Sequence, residues 1–98
     1  MKVQQICKRI KLHEDRLRKE FSVKAMYIFG SVARGEASAS SDIDVLVEFS
    51  SENIGIFEFV RLKDFLESIL SKNVDLVTRD ALRDSMATEV ERDSIRVA

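Results

Sequence analysis

The run Asp42-Ile43-Asp44-Val45-Leu46-Val47-Glu48-Phe49 constrains the fold of this chain more than any other feature. Side chains alternate across a β-strand, so Ile43, Val45 and Val47 fall on one face while Asp42, Asp44 and Leu46 fall on the other. The first face is wholly apolar and must be covered. The second begins with two carboxylates, placed where a sheet edge meets a loop.

Helical signals surround this strand. Val3, Ile6, Cys7, Ile10, Leu17 and Phe21 recur at helical spacing and predict one amphipathic helix from about residue 2 to 20. His13, which interrupts the stripe, reads as exposed and non-catalytic. Ala25 to Phe29 is short, apolar and β-prone and ends at Gly30, which predicts a buried strand with Tyr27 in the core. Gly30-Ser31 then opens a brief helix that closes near Gly35, and the small polar residues 36–41 predict a surface loop. Helical spacing returns from Phe57 to Leu70, with Phe57, Phe59 and Phe65 assigned to packing. Val74 to Val77 predicts a third strand. A last helix is expected from about Asp80 to Arg92 with Leu82, Met86 and Val90 inward, followed by a short extended tail from Ile95 to Ala98. The order predicts an α/β (α+β) fold, a small mixed sheet of about three strands covered by helices.

Ninety-eight residues leave room for one domain, 1–98. The 45% apolar and 34% charged composition excludes a disordered or membrane class. The longest apolar run, Ala25 to Phe29, falls far short of the roughly 20 residues that span a bilayer. Lys2 has no apolar segment behind it, so no signal peptide is visible, and Cys7 stands alone, which excludes an internal disulfide or a cysteine metal site. These absences point to the cytoplasm. The net charge of −1 hides an asymmetry: residues 1–24 carry eight Lys/Arg against three acids. A solvated helix face accounts for it, and nothing else in the chain supports direct nucleic-acid binding.

Asp42 and Asp44 lie some 6 to 7 Å apart along one strand face. If their charges approach to about 4 Å, repulsion is on the order of 4 kcal/mol at an effective dielectric near 20. One acid is protonated, or both turn to water, or a cation sits between them. Hard oxygen ligands without a neighbouring His or Cys favour magnesium or manganese over zinc. Asp75 adds a third acid inside an otherwise apolar strand, where aspartate is disfavoured. If that strand neighbours residues 42–49, Asp75 can face the same site. Gly30 lets backbone approach a ligand, Ser31 offers a hydroxyl, and Arg34, one turn on, can neutralise negative charge. Phosphate donors beside a divalent-metal cage suit phosphoryl transfer.

Gly30-Ser31, ten residues and Asp42-Ile43-Asp44 resemble the G-S-x10-D-x-D signature of the DNA polymerase β-like nucleotidyltransferase superfamily. The wider run from Phe29 to Ala37, then Ser41 to Val47, is similar to its minimal nucleotidyltransferase family, and Val74-Asp75-Leu76-Val77-Thr78 resembles that family's third-carboxylate strand. Many relatives carry Arg where this chain has Val32. The resemblance implies a polymerase β-like core in which Asp42, Asp44 and Asp75 are catalytic metal ligands for two Mg²⁺ ions. It implies that Gly30, Ser31 and Arg34 bind the nucleotide, ATP or another NTP. It also implies a HEPN-domain ribonuclease toxin, encoded beside the chain, as partner in a hetero-oligomer, with AMP passing to a toxin tyrosine. A non-catalytic antitoxin that masks its partner, and a small-molecule nucleotidyltransferase with a separate acceptor-binding subunit, are the alternatives.

Overall fold

The computed structural model describes residues 2–98. Helices α1 (Val3–Leu12) and α2 (Glu14–Phe21) lead into strand β1 (Val23–Phe29), and a one-turn helix α3 (Gly30–Ala33) follows at once. Strand β2 (Ile43–Phe49), helix α4 (Ile56–Leu70) and strand β3 (Val74–Thr78) come next. A 3₁₀ turn (Arg79–Ala81), helix α5 (Asp84–Asp93) and a two-residue strand β4 (Ile95–Arg96) complete the chain. The sheet order is β3-β2-β1-β4: β1 pairs antiparallel with β2 and β4, and β2 pairs parallel with β3. This is a mixed sheet with helices on both faces, as the pattern predicts. No helix among the described residues is long and apolar enough to cross a membrane.

The two sheet faces are unlike. Met26, Ile28, Ile43, Val45, Val47, Val74 and Leu76 form the main core with Ile6, Ile10, Leu17 and Phe21 of α1 and α2 and Leu62, Leu66 and Leu70 of α4. On the opposite face Phe29 and Leu46 pack with Val90 of α5, flanked by Tyr27, Val77, Leu82 and Met86. That second cluster covers only part of its face. Asp44 and Asp75, in the strand periodicity of Leu46 and Val77, belong to the same side.

Several details differ from the sequence pattern. The single N-terminal helix breaks at His13, whose φ of −107° and ψ of 14° leave the helical region. Its N–H donates a tight bond to Ile10 O at 3.0 Å, and its Nδ1 lies 2.8 Å from Arg9 O. Glu14 and Asp15 then open α2, where acids favour a fresh N-terminus. His13 is half-buried, edge-on to Phe65 at 5.6 Å between ring centroids. The sheet gains a fourth strand because the tail after α5 adds to the free edge of β1, with Tyr27 opposite Arg96. The last helix begins at Asp84, with the 3₁₀ turn occupying the residues before it. Finally, Phe57 does not pack: it is 81% exposed beside Ile56 and Val60. Five residues from Leu62, it stands about 140° around the helix from the buried stripe.

Candidate active site

The acids stand at the end of the sheet where β1 leaves and β2 and β3 begin. Asp42 is exposed and immediately precedes β2; Asp44 is half-buried, the second residue of that strand. Asp75 is exposed and is the register partner of Asp44 across the parallel β2–β3 pair. Partners in adjacent strands sit about 5 Å apart and share a face. On the other side Asp44 is opposite Phe29 in the antiparallel ladder. The next residue, Gly30, turns at φ +74°, and its backbone lies against the Asp44 carboxylate. The candidate residues Gly30, Ser31, Asp44 and Asp75 therefore meet at one sheet end.

The alignment is fixed from outside the site. The Ile43 N–H bonds Asn73 O at 3.0 Å, and the Val74 N–H bonds Glu67 Oε2 at 2.8 Å. Glu67 also takes Lys63 Nζ at 3.3 Å. The Val74 N–H above all, helped by Lys63, holds the Glu67 carboxyl below its ordinary range. Ser71 closes α4 in the left-handed conformation just before this join. The start of β3, and with it Asp75, is thus tied both to the start of β2 and to the end of α4.

Burial pushes Asp44 up to about 6, and the charges of Asp75, Glu89 and Asp42 add to the effect while Arg34 opposes it. Acids surrounding Asp44 outnumber the single cation. Such a field favours a hard divalent cation, which would let all these carboxylates ionise together. The donor set fits magnesium on that ground. Among the described residues no three His, Cys, Asp or Glu side chains are grouped so that they could hold a metal ion, so the three-carboxylate cluster expected from the sequence is not drawn together in this structure.

Arg34 follows α3, and its guanidinium meets α5. Its Nε bonds Glu36 at 3.1 Å; its Nη1 bonds Asp93 at 3.3 Å and lies 3.6 Å from Glu89. Glu89 and Asp93 were missed by the motif because they lie far along the chain. Two acids at i and i+4 on one helix face repel unless a cation meets them, and that spacing is the signal that identifies them. Val32 is buried in the main core. A separate cavity of about 910 Å³, lined in part by Phe49, Ile54, Ile56, Phe59, Leu76 and Arg79, opens at the opposite end of β2 and β3 and contains none of the three candidate acids.

The sequence matches the Nucleotidyltransferase domain family over residues 10–97. It is 39% identical over 85 residues to Protein adenylyltransferase MntA of Thermococcus cleftensis, spanning 87% of this chain and 85% of that protein. A structure solved as a candidate minimal nucleotidyltransferase is similar at a TM-score of 0.78 and 34% identity, covering 97% of this chain and 95% of its own. A chain in the complex of a tri-AMPylated Shewanella oneidensis HEPN toxin with its MNT antitoxin has the same fold, at a TM-score of 0.64 and 19% identity. That match covers 94% of this chain and 71% of the other. Sequence match, fold and the acid-bearing sheet end agree: this chain belongs to the nucleotidyltransferase family.

Proposed function

We propose that the chain is a magnesium-dependent protein adenylyltransferase that moves AMP from ATP to a tyrosine of a HEPN ribonuclease toxin and thereby acts as its antitoxin. The observation that carries the chemistry is Asp44 set across from Asp75 and against the Gly30 turn. The protein acceptor is supported by the 39% identity to Protein adenylyltransferase MntA. The HEPN partner is supported by the shared fold with a chain of a complex whose toxin carries AMP groups.

In this reading Asp42, Asp44 and Asp75 are the residues that would hold two Mg²⁺ ions, whose chemistry there would be Lewis-acid neutralisation of phosphate charge. Gly30 and Ser31 receive the β- and γ-phosphates through backbone N–H and hydroxyl. Arg34 adds directed hydrogen bonds to the phosphate oxygens beside them. Asp75 orients the acceptor hydroxyl and draws off its proton as the tyrosine oxygen bonds to the α-phosphorus. The α–β bridging bond breaks in line, and pyrophosphate leaves. The chain works in a hetero-oligomer because its partner brings the acceptor.

Incubation with α-labelled ATP, Mg²⁺ and the HEPN partner tests the reading. Label on a partner tyrosine supports it. A tight complex without label indicates masking by binding alone, and label on a small acceptor indicates a small-molecule transferase; either result overturns it.

A further inference from the structure

Arg34 is gripped on two of its nitrogens. Nε is taken by Glu36, and Nη1 by Asp93 and Glu89, while Nη2 has no hydrogen-bond partner among the described residues. The Arg34–Asp93 contact is sheltered, with the two side chains 25% and 14% exposed. Asp93 is itself braced from behind by Arg92, whose Nη2 lies 3.0 Å from Asp93 Oδ2. The helix that carries both acids is fixed to the sheet by Val90 against Phe29 and Leu46, and by β4 on the edge of β1. Arginine is flexible, and holding it by Nε and Nη1 removes that freedom before a ligand arrives.

We propose that Glu89 and Asp93 are positioning residues for nucleotide binding, holding Arg34 by Nη1 while Glu36 takes Nε, so that Nη2 remains for the triphosphate. The inference rests on the nucleotidyltransfer reading above and deepens it, assigning a role to α5 that the motif residues do not contain. The two carboxylates also offset the charge of Arg34, so its contribution to the substrate lies in directed hydrogen bonds more than in net charge. Both acids act through Arg34 and touch no substrate.

The test measures binding of a ribose-labelled fluorescent ATP analogue, together with KM for ATP and kcat, in Glu89→Gln/Asp93→Asn, in Arg34→Ala and in the triple variant. The double variant should bind the analogue about tenfold more weakly, with the loss in KM and little change in kcat. Arg34→Ala should show a similar loss, and adding the α5 substitutions to it should cost nothing further. An unchanged affinity in the double variant, or the same fold-loss in the Arg34→Ala background, overturns the proposal, since a purely structural role predicts the latter. If the double variant fails to fold, Glu89→Gln alone keeps the Asp93 contact and should weaken binding about threefold; unchanged binding there overturns the proposal as well. A native chain that binds no ATP at all defeats the underlying functional reading. Native binding with unaltered variants defeats only this one.

Discussion

The Asp44 carboxylate lies directly against the Gly30 backbone. A Cβ built at position 30 would overlap Asp44 Oδ2 and come 3.2 Å from its Cγ, and the residue already holds a φ of +74°. Two independent demands, backbone conformation and close approach of a carboxylate, therefore fall on one residue. The pairing of glycine with the acid 14 positions later is a packing requirement as well as a sequence motif.

Gly30→Ala should accordingly damage stability and activity together. Forcing a side chain into the left-handed region costs on the order of 1–3 kcal/mol, before any displacement of Asp44 is counted. Thermal melts should show a clear drop, and nucleotidyl transfer should fall with it. A variant that melts and reacts like the native chain would remove the close approach from the account.

Asp44 should make stability depend on pH in the absence of metal. Its carboxyl stands at about 6 in the folded chain against an ordinary 3.8. Between those values the folded chain binds more protons than the unfolded one, so stability falls as pH rises through the window and is fully reduced above it. Solvent screening of this half-buried group leaves an effect on the order of 1 kcal/mol. In EDTA, Asp44→Asn should be more stable than the native chain at pH 7.5 and nearly equal to it at pH 4. Denaturant titrations at both pH values check this; a variant less stable at pH 7.5 contradicts it.

Asp75 should matter to the reaction far more than to folding, because its side chain is exposed while its strand neighbours Val74 and Leu76 are buried. Asp75→Asn is expected to lower kcat on the order of 10²- to 10⁴-fold, the usual worth of a group that moves a proton. Its melting temperature should stay near native. Removing Mg²⁺ with EDTA should stop transfer in the native chain, and added Mg²⁺ should restore it. Wild-type turnover in excess EDTA would contradict the metal-ligand assignment.

The two sides of α4 should respond very differently to truncation. Leu66 is fully buried, so Leu66→Ala should cost about 2–5 kcal/mol. Phe57 is 81% exposed, and Phe57→Ala should stay within about 0.5 kcal/mol of native. Equilibrium unfolding of both variants separates the faces, and a large loss at Phe57 would mean that the helix is rotated.

How much of this was legible depends on the range of each signal. The β2 alternation lies within eight residues and named both the covered face and the acid-bearing one. Asp75 stood out because aspartate is out of place among Val74, Leu76 and Val77. The break at His13 was hidden by an apolar stripe that continues from Ile10 to Leu17 across it; only the backbone there and the contact with Phe65 reveal it. β4 was hidden for another reason: two residues carry no periodicity, and Ile95–Arg96 is a strand only because β1 offers a free edge. The exposure of Phe57 was hidden because its apolarity fits a helical pattern, and only its angle around α4 puts it off the buried stripe. The grip of α5 on Arg34 joins residues 59 positions apart, and no local pattern reports a contact of that separation.

The central claim is that the acid-bearing end of this sheet transfers AMP. Parallel reactions with ATP labelled at the α- or the γ-phosphate, Mg²⁺ and the HEPN partner test it most directly, run with the native chain and with Asp44→Asn. The account requires α-label on the partner, γ-label released in pyrophosphate, and neither event with Asp44→Asn. Transfer of γ-label, or equal α-labelling by the Asp44→Asn chain, would contradict it.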